Sequence, residues 1–173
     1  SARGILCVGL PGTIDNDIAC TEYTIGYDTA MNTAREMIDR ITDTAQSHDR
    51  CSVVEVMGRG AGYIALNTGI SCGATAILVP EVEYNLDDVA KKMLGKTHFV
   101  IVISEGIKES AEKIASQIQE KTGIESRATV LGHVQRGGSP TVRDRVVATR
   151  MGSYAVDLLE QGIGNRVVGM VDN

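Results

Sequence analysis

Hydrophobic residues gather in short runs rich in Val and Ile, at Ile5–Leu10, Ser52–Met57, Ala74–Val79, His98–Ser104, Ala128–Leu131 and Val167–Val171. The runs are mostly continuous rather than alternating, which predicts strands buried on both faces. Between them the apolar positions recur at helical spacing. Across Thr29–Ala45, the residues Ala30, Ala34, Met37, Ile38 and Ile41 share one stripe, with Arg35, Glu36, Asp39 and Arg40 largely outside it. Tyr63–Ser71, Leu86–Leu94, Ser110–Thr122 and Val142–Gln161 read as further helices, and Gly123 and Gly162 are suited to stop the last two. Asp87 and Asp88 open the Leu86–Leu94 helix and Lys91 and Lys92 close it, each in favourable contact with the helix dipole. Alternating strands and helices of this kind predict an α/β fold with a doubly wound, mostly parallel sheet flanked by helices. Ligands of such sheets lie beyond the carboxyl ends of the strands, so the loops after the strands are where chemistry is expected.

A chain of 173 residues suffices for one well-buried core. Aromatic residues make up only 3% and there is no Trp, so aliphatic side chains and glycine must fill that core. The net charge of −5 offers no footprint for nucleic acid or an anionic membrane, and an anionic ligand would have to be held by local arginines. No apolar run is long enough to span a membrane and no signal peptide is evident. Cys7, Cys20, Cys51 and Cys72 form no C-x-x-C pair, which points to reduced thiols in a cytoplasmic protein rather than a disulfide framework or a zinc site, and no metal centre is expected.

Three loops and one strand end carry candidate chemistry. Leu10-Pro-Gly-Thr-Ile-Asp-Asn-Asp17 follows the first run. It reads either as a turn whose Asp and Asn side chains cap backbone amides or as a general base with a helper carboxylate. Met57-Gly-Arg-Gly-Ala-Gly62 ends the second run and opens a helix. Its glycines suit either close packing or backbone approach to an anion, with Arg59 adding a charge that does not titrate. Leu131-Gly-His-Val-Gln-Arg-Gly-Gly-Ser-Pro140 sets a His, a Gln and an Arg among three glycines, more than a structural loop requires. Glu105 ends another run and Arg127 opens one. Polar groups associated with glycine at four strand ends suit recognition of phosphate or hydroxyls.

Gly9-Leu-Pro-Gly-Thr-Ile-Asp-Asn-Asp17, Val53-Val-Glu-Val-Met-Gly-Arg59 and Ala128-Thr-Val-Leu-Gly-His-Val-Gln-Arg-Gly-Gly-Ser-Pro140 closely resemble bacterial-type ATP-dependent 6-phosphofructokinases. The similarity runs from about Gly4 to Gly169. It implies a Rossmann-like substrate domain over residues 27–139, with residues 1–26 and 140–173 as partial pieces of a nucleotide-binding domain. It also implies transfer of a phosphoryl group from MgATP to the 1-hydroxyl of fructose 6-phosphate. By that resemblance Asp15 is the base, Thr13 and Ile14 line its loop, and Asp17 assists near the metal. Arg59 stabilises the transferred phosphoryl, Met57 and Gly58 touch the sugar, and Glu105 accepts from its hydroxyls. His133, Val134, Gln135 and Arg136 form the segment that holds the 6-phosphate. Arg50 and Arg127 match arginines that reach that phosphate from a neighbouring subunit, so the resemblance implies a homo-oligomer, a tetramer in the family, with shared sites.

The resemblance also marks departures. The glycine-rich nucleotide loops of the family have no counterpart here, so Mg²⁺ and ATP are expected to bind the parent enzyme and not this chain. Gly12 stands where pyrophosphate-dependent relatives usually carry a lysine, which favours ATP as the donor. In regulated members an arginine and a metal-ligating glutamate fall where this chain has Thr42 and Thr75. Gly73, Ala74 and Lys96 flank that effector position, and weak regulation is expected. A pyrophosphate-dependent phosphotransferase and a non-catalytic sugar-phosphate-binding module are the alternative readings.

Overall fold

Eleven regular elements alternate along the chain in this computed structural model, which describes residues 3–46, 49–95 and 99–171. In chain order they are β1 (Val8–Gly9), α1 (Tyr27–Gln46), β2 (Cys51–Val56), α2 (Tyr63–Ser71), β3 (Ala76–Leu78), α3 (Leu86–Met93), β4 (Phe99–Ser104), α4 (Ala111–Thr122), β5 (Ser126–Val130), α5 (Val142–Glu160) and β6 (Arg166–Val167). A 3-10 turn at Gly132–Arg136 lies between β5 and α5. The chain divides into two compact units, Ala30–Gly138 and the pair of segments Ser1–Thr29 and Ser139–Asn173.

The larger unit is built on a four-stranded sheet, β3-β4-β2-β5, in which every pairing is parallel. Cys51 pairs with Phe99 and with Ser126, and Val56 pairs with Ser104, so the strands start level and end level. One face of β2, β3 and β4, carrying Cys51, Val53, Ala76, Leu78, Phe99, Ile101 and Ile103, packs on α3 and α4. Helix α4 meets it with Ala111, Ile114, Ala115 and Ile118, spaced i, i+3, i+4, i+7 and all buried. Each large aliphatic side chain in this layer contributes about 1.5–3 kcal/mol through burial. The opposite face is covered by α2, where Gly69 lies so close to Ile77 that a Cβ would sit 2.6 Å from it. Met37, Ile41 and Ala45 of α1 share that face, lining a groove with Ser52 and Thr129. Helices on both faces make this the doubly wound sheet expected from the alternation.

The strands differ from the sequence reading in length and cover. β2 and β4 are buried almost throughout, but β5 is an edge strand and half-exposed, and β1 and β6 keep only two residues each. Ile5 and Leu6, at the start of the first apolar run, are exposed and lie outside any strand. A continuous apolar run reports hydrophobicity, and whether both its faces are covered depends on neighbours that the run does not specify. The helices were easier to read. Ser110 and Asn85 cap α4 and α3 by accepting from Lys113 and Asp87, and Gly123 ends α4 in the left-handed conformation at φ 73°. His98 of the fourth run lies outside the described residues.

The smaller unit is organised around a carboxylate. Asp144, in the first turn of α5 and 2% exposed, accepts from the Tyr23 hydroxyl at 2.6 Å, the Gly26 N–H at 2.8 Å and the Thr29 N–H at 2.9 Å. The Thr29 hydroxyl donates to the same oxygen as its own N–H does. Burial alone would raise the Asp144 pKa, but the donors from Thr29, Tyr23 and Gly26 outweigh it and hold the carboxyl below its ordinary value. Asp144 thus joins the segment from Tyr23 to Thr29 to the start of α5. β1 pairs in parallel with β6, and Thr21 receives the Met170 N–H at 2.9 Å.

Replacing this carboxylate with an amide, as in Asp144→Asn, turns an NH₂ group toward some of these donors and should cost about 3 kcal/mol. A pKa lower in the folded than in the unfolded chain gives stability that is fully present above the ordinary aspartate value, near 3.9, and is lost as pH falls through the folded value. The gap in urea midpoint between wild type and Asp144→Asn should therefore be widest near neutral pH and narrow below about pH 4. A gap that is constant with pH or widens in acid contradicts the assignment.

Candidate functional site

Strands β4, β2 and β5 are adjacent, and the chain leaves β2 through α2 on one face and β4 through α4 on the other. The carboxyl ends of β2 and β4 therefore flank a point where the winding changes direction, the position at which such sheets bind ligands. Five of the loop residues marked in the sequence are tied together at these ends. The Glu105 carboxylate, directly after β4, accepts through one oxygen from the Gly58 N–H at 3.1 Å and the Arg59 N–H at 2.5 Å. The Gln135 side-chain oxygen, beyond β5, accepts from the Met57 N–H at 2.8 Å. Backbone bonds from Glu105 to Val56 at 3.0 Å and from Leu131 to Glu55 at 3.0 Å complete the junction.

These contacts decide between the two readings of the Met57–Gly62 loop. Besides the three N–H groups just named, the Ala61 N–H donates to the Gly58 carbonyl at 3.0 Å and the Gly62 N–H to the Glu81 carboxylate at 2.7 Å. Most backbone donors of the loop are thus engaged within the protein, and close packing prevails over a backbone cradle for an anion. The glycines serve that packing. A Cβ on Gly58 would lie 2.7 Å from the Ala61 carbonyl oxygen, and one on Gly106 would lie 2.8 Å from the Arg59 carbonyl oxygen. Arg59 adopts φ 56°, unusual for a residue with a side chain, and Glu105 holds the peptide N–H on its amino side. The buried Ser104 hydroxyl donates to the Ala61 carbonyl at 3.2 Å and receives the Gly106 N–H at 3.2 Å.

The 3-10 turn at Gly132–Arg136 presents the motif after β5. With three residues per turn, positions i and i+3 eclipse, so His133 and Arg136 project on one face and are exposed, as is Val134. Gln135 turns inward and is completely buried. Its amide nitrogen has no hydrogen-bond partner among the described residues, so only the oxygen half of this amide is satisfied.

At the amino ends of the same strands, Arg50 and Arg127 share one carboxylate. Arg50 meets Glu125 at 2.8 Å and Arg127 meets its other oxygen at 2.9 Å, which holds the Glu125 carboxyl below its ordinary value. Both arginines border the groove beneath α1, a space of about 420 Å³. At about 3.3 Å per residue, five steps along β2 separate this edge from the carboxyl end by about 17 Å.

In the smaller unit Asp15 is 7% exposed. The Thr13 hydroxyl donates to its carboxylate at 3.2 Å and receives the Asp15 N–H at 3.3 Å. Ile14 is half-buried in this loop and Asp17 is exposed. Asn16, at φ 53°, accepts the Thr24 N–H at 2.9 Å through its side-chain oxygen and so fixes the loop to the segment before α1. The capping reading of this loop therefore falls on Asn16. Of the effector positions, the Thr42 hydroxyl is spent on the Ile38 carbonyl at 2.8 Å, and Gly73, Ala74 and Thr75 form the turn into β3. Lys96 lies outside the described residues. The sequence reading missed Asp144, Tyr23 and Glu81. No spacing singles them out, because each acts on a partner distant in sequence.

Residues 1–159 match the phosphofructokinase family model. The chain is 52% identical to an ATP-dependent 6-phosphofructokinase of Clostridium botulinum and 54% identical to one of Bacillus cytotoxicus, over 100% and 99% of its own length and 56% and 55% of theirs. It thus spans little more than half the length of these curated relatives. Among solved structures, phosphofructokinase from Saccharomyces cerevisiae superposes with a TM-score of 0.83 at 37% identity, covering 89% of this chain and 22% of that one. A pyrophosphate-dependent phosphofructokinase from Marinobacter aquaeolei gives a TM-score of 0.84 at 25% identity, covering 98% of this chain and 48% of that one. On the fold, the strand-end motifs and this match, the chain belongs to the phosphofructokinase family.

Proposed function

We propose that the chain supplies the sugar-phosphate site and the catalytic base of an ATP-dependent 6-phosphofructokinase. The observation that carries this reading is the junction at the ends of β4, β2 and β5, where Glu105, Met57–Arg59 and the His133–Arg136 turn are fastened together. Residues 27–139 are then the fructose 6-phosphate domain, a reading that the compact unit Ala30–Gly138 supports. The flanking segments are pieces of a nucleotide-binding domain.

In this reading His133 and Arg136 take the 6-phosphate from one face of their turn, giving charge-assisted bonds to an anion despite the net negative chain. Glu105 keeps one oxygen on the Gly58 and Arg59 amides and offers the other to the sugar hydroxyls. Asp15 removes the proton of the 1-hydroxyl as that oxygen bonds to the γ-phosphorus of ATP and the bond to ADP breaks. Arg59 stabilises the negative charge on the transferred group. Among the described residues no cluster of three or more His, Cys, Asp or Glu side chains could hold a metal. By the family resemblance, Mg²⁺ and the nucleotide are assigned to other parts of the longer protein. Among the described residues no helix is long and apolar enough to cross a membrane. Identities of 52–54% to relatives named as ATP-dependent, against 25% to the pyrophosphate-dependent structure, favour ATP, as does Gly12.

In the longer enzyme Asp15→Ala should lower kcat by about 10²–10⁴-fold and change KM for fructose 6-phosphate much less, because a general base acts on the chemical step. Steady-state kinetics decides this, and a loss confined to KM would make Asp15 a binding residue instead.

Arg50 and Arg127 lie at the opposite strand edge from Glu105 and His133, so one subunit cannot readily bring both sets to a single ligand. A two-fold partner could, each copy completing the other's site. Each of Arg50→Ala and Arg127→Ala should weaken fructose 6-phosphate binding by more than about tenfold, as loss of a charge-assisted phosphate contact does. Calorimetric titration beside sedimentation at matched concentrations checks it. Unchanged affinity in both variants, or tight binding by a strict monomer, would return these arginines to the simpler role of pairing with Glu125.

A further inference from the structure

We infer that Gln135 is a positioning residue that fixes the placement of the substrate-binding loops, an inference that rests on the sugar-phosphate reading above. Gln135 is 0% exposed and its amide can face only one way, because the Met57 N–H at 2.8 Å requires an acceptor. The oxygen is therefore committed to Met57, and the nitrogen is left without a partner among the described residues. A fully buried amide with its donor half unsatisfied is a poor way to fill a core position, and Leu or Met would fill the same volume with no polar group to desolvate. What Leu and Met cannot do is accept the Met57 N–H. That bond is the side-chain tie between the turn bearing His133 and Arg136 and the loop bearing Gly58 and Arg59, whose next two amides are held by Glu105.

The neighbouring geometry agrees. In a 3-10 turn the residue between two eclipsed side chains points away from them, so a single inward anchor at Gln135 orients His133 and Arg136 together. Thr33 adds a second tether to the same segment, its hydroxyl donating to the Gly137 carbonyl at 3.2 Å. Gln135 does not touch the substrate in this assignment and acts through Met57 and through the turn.

The test uses Gln135→Met and Gln135→Leu in the longer enzyme, with three measurements on each. Thermal stability should be about unchanged, because each variant removes the unpaired Gln135 amide donor and leaves the Met57 N–H unpaired in its place. KM for fructose 6-phosphate should rise about tenfold or more, as small displacements of positioned groups commonly cause, with a smaller fall in kcat. Hydrogen–deuterium exchange over Glu55–Gly60 should quicken while the rest of β2 stays protected. A Tm that falls by several degrees together with the kinetic loss would make Gln135 an ordinary core residue and overturn the inference. So would a stable variant with wild-type KM, or unaltered exchange at Met57. The underlying reading is judged separately, on wild type and His133→Ala. If wild type neither binds nor phosphorylates fructose 6-phosphate, that reading fails, and the exchange and stability measurements still decide whether Gln135 anchors Met57.

Discussion

A strand that ends inside a parallel sheet delivers its last N–H groups to a place where no ladder continues, and a buried donor left unpaired is costly. At the end of β2 three consecutive donors, those of Met57, Gly58 and Arg59, meet this constraint together. The neighbours on either side resolve it, Gln135 from beyond β5 and Glu105 from the end of β4. Much of the larger unit's functional surface follows. With these donors engaged, the anion recognition proposed above falls to charged side chains rather than the backbone, which would let a chain of net charge −5 offer a phosphate a positive local field.

The smaller unit uses the same economy with the signs exchanged. There the unpaired group is an acceptor, the Asp144 carboxylate, and donors from Tyr23, Gly26 and Thr29 converge on it. Asn16 does the equivalent for the loop that carries Asp15. In both units a polar side chain distant in sequence closes a gap that regular secondary structure leaves open, and the closure places the residues on which the proposed chemistry relies.

The helices and their alternation with strands were legible because they rest on local signals: the apolar stripe of α4, the Ser110 and Asn85 caps and the left-handed Gly123. Strand cover was not, since β5 reads as apolar as β2 but lies at the sheet edge. At the candidate site the residue types in the three motifs could be picked out, and the glycines of Met57–Gly62 could be seen to serve packing or binding. Only the structure shows that Glu105 and Glu81 occupy the amides of that loop. Gln135 illustrates the limit well. Flanked by His133 and Arg136 it looks like a third ligand, and nothing in the spacing reveals that a 3-10 turn rotates it into the interior.

The close approach of the two loops at Gly58 and Gly106 bears on how this protein can change over generations. The Arg59 carbonyl oxygen lies 2.8 Å from where a Cβ at Gly106 would be, and the Ala61 carbonyl oxygen 2.7 Å from where one at Gly58 would be. The loop after β4 also supplies the carboxylate that meets the Arg59 amide. The loop after β4 can therefore acquire no bulkier residue at Gly106 without a matching shift of the Met57–Gly62 loop, while Gly58 is constrained by Ala61 of its own loop. The two segments, 46 positions apart in the chain between Arg59 and Glu105, behave as one heritable part. Diversification of this surface is directed instead to positions whose side chains already point outward, such as Val134 and Val82, where a substitution disturbs no shared backbone contact.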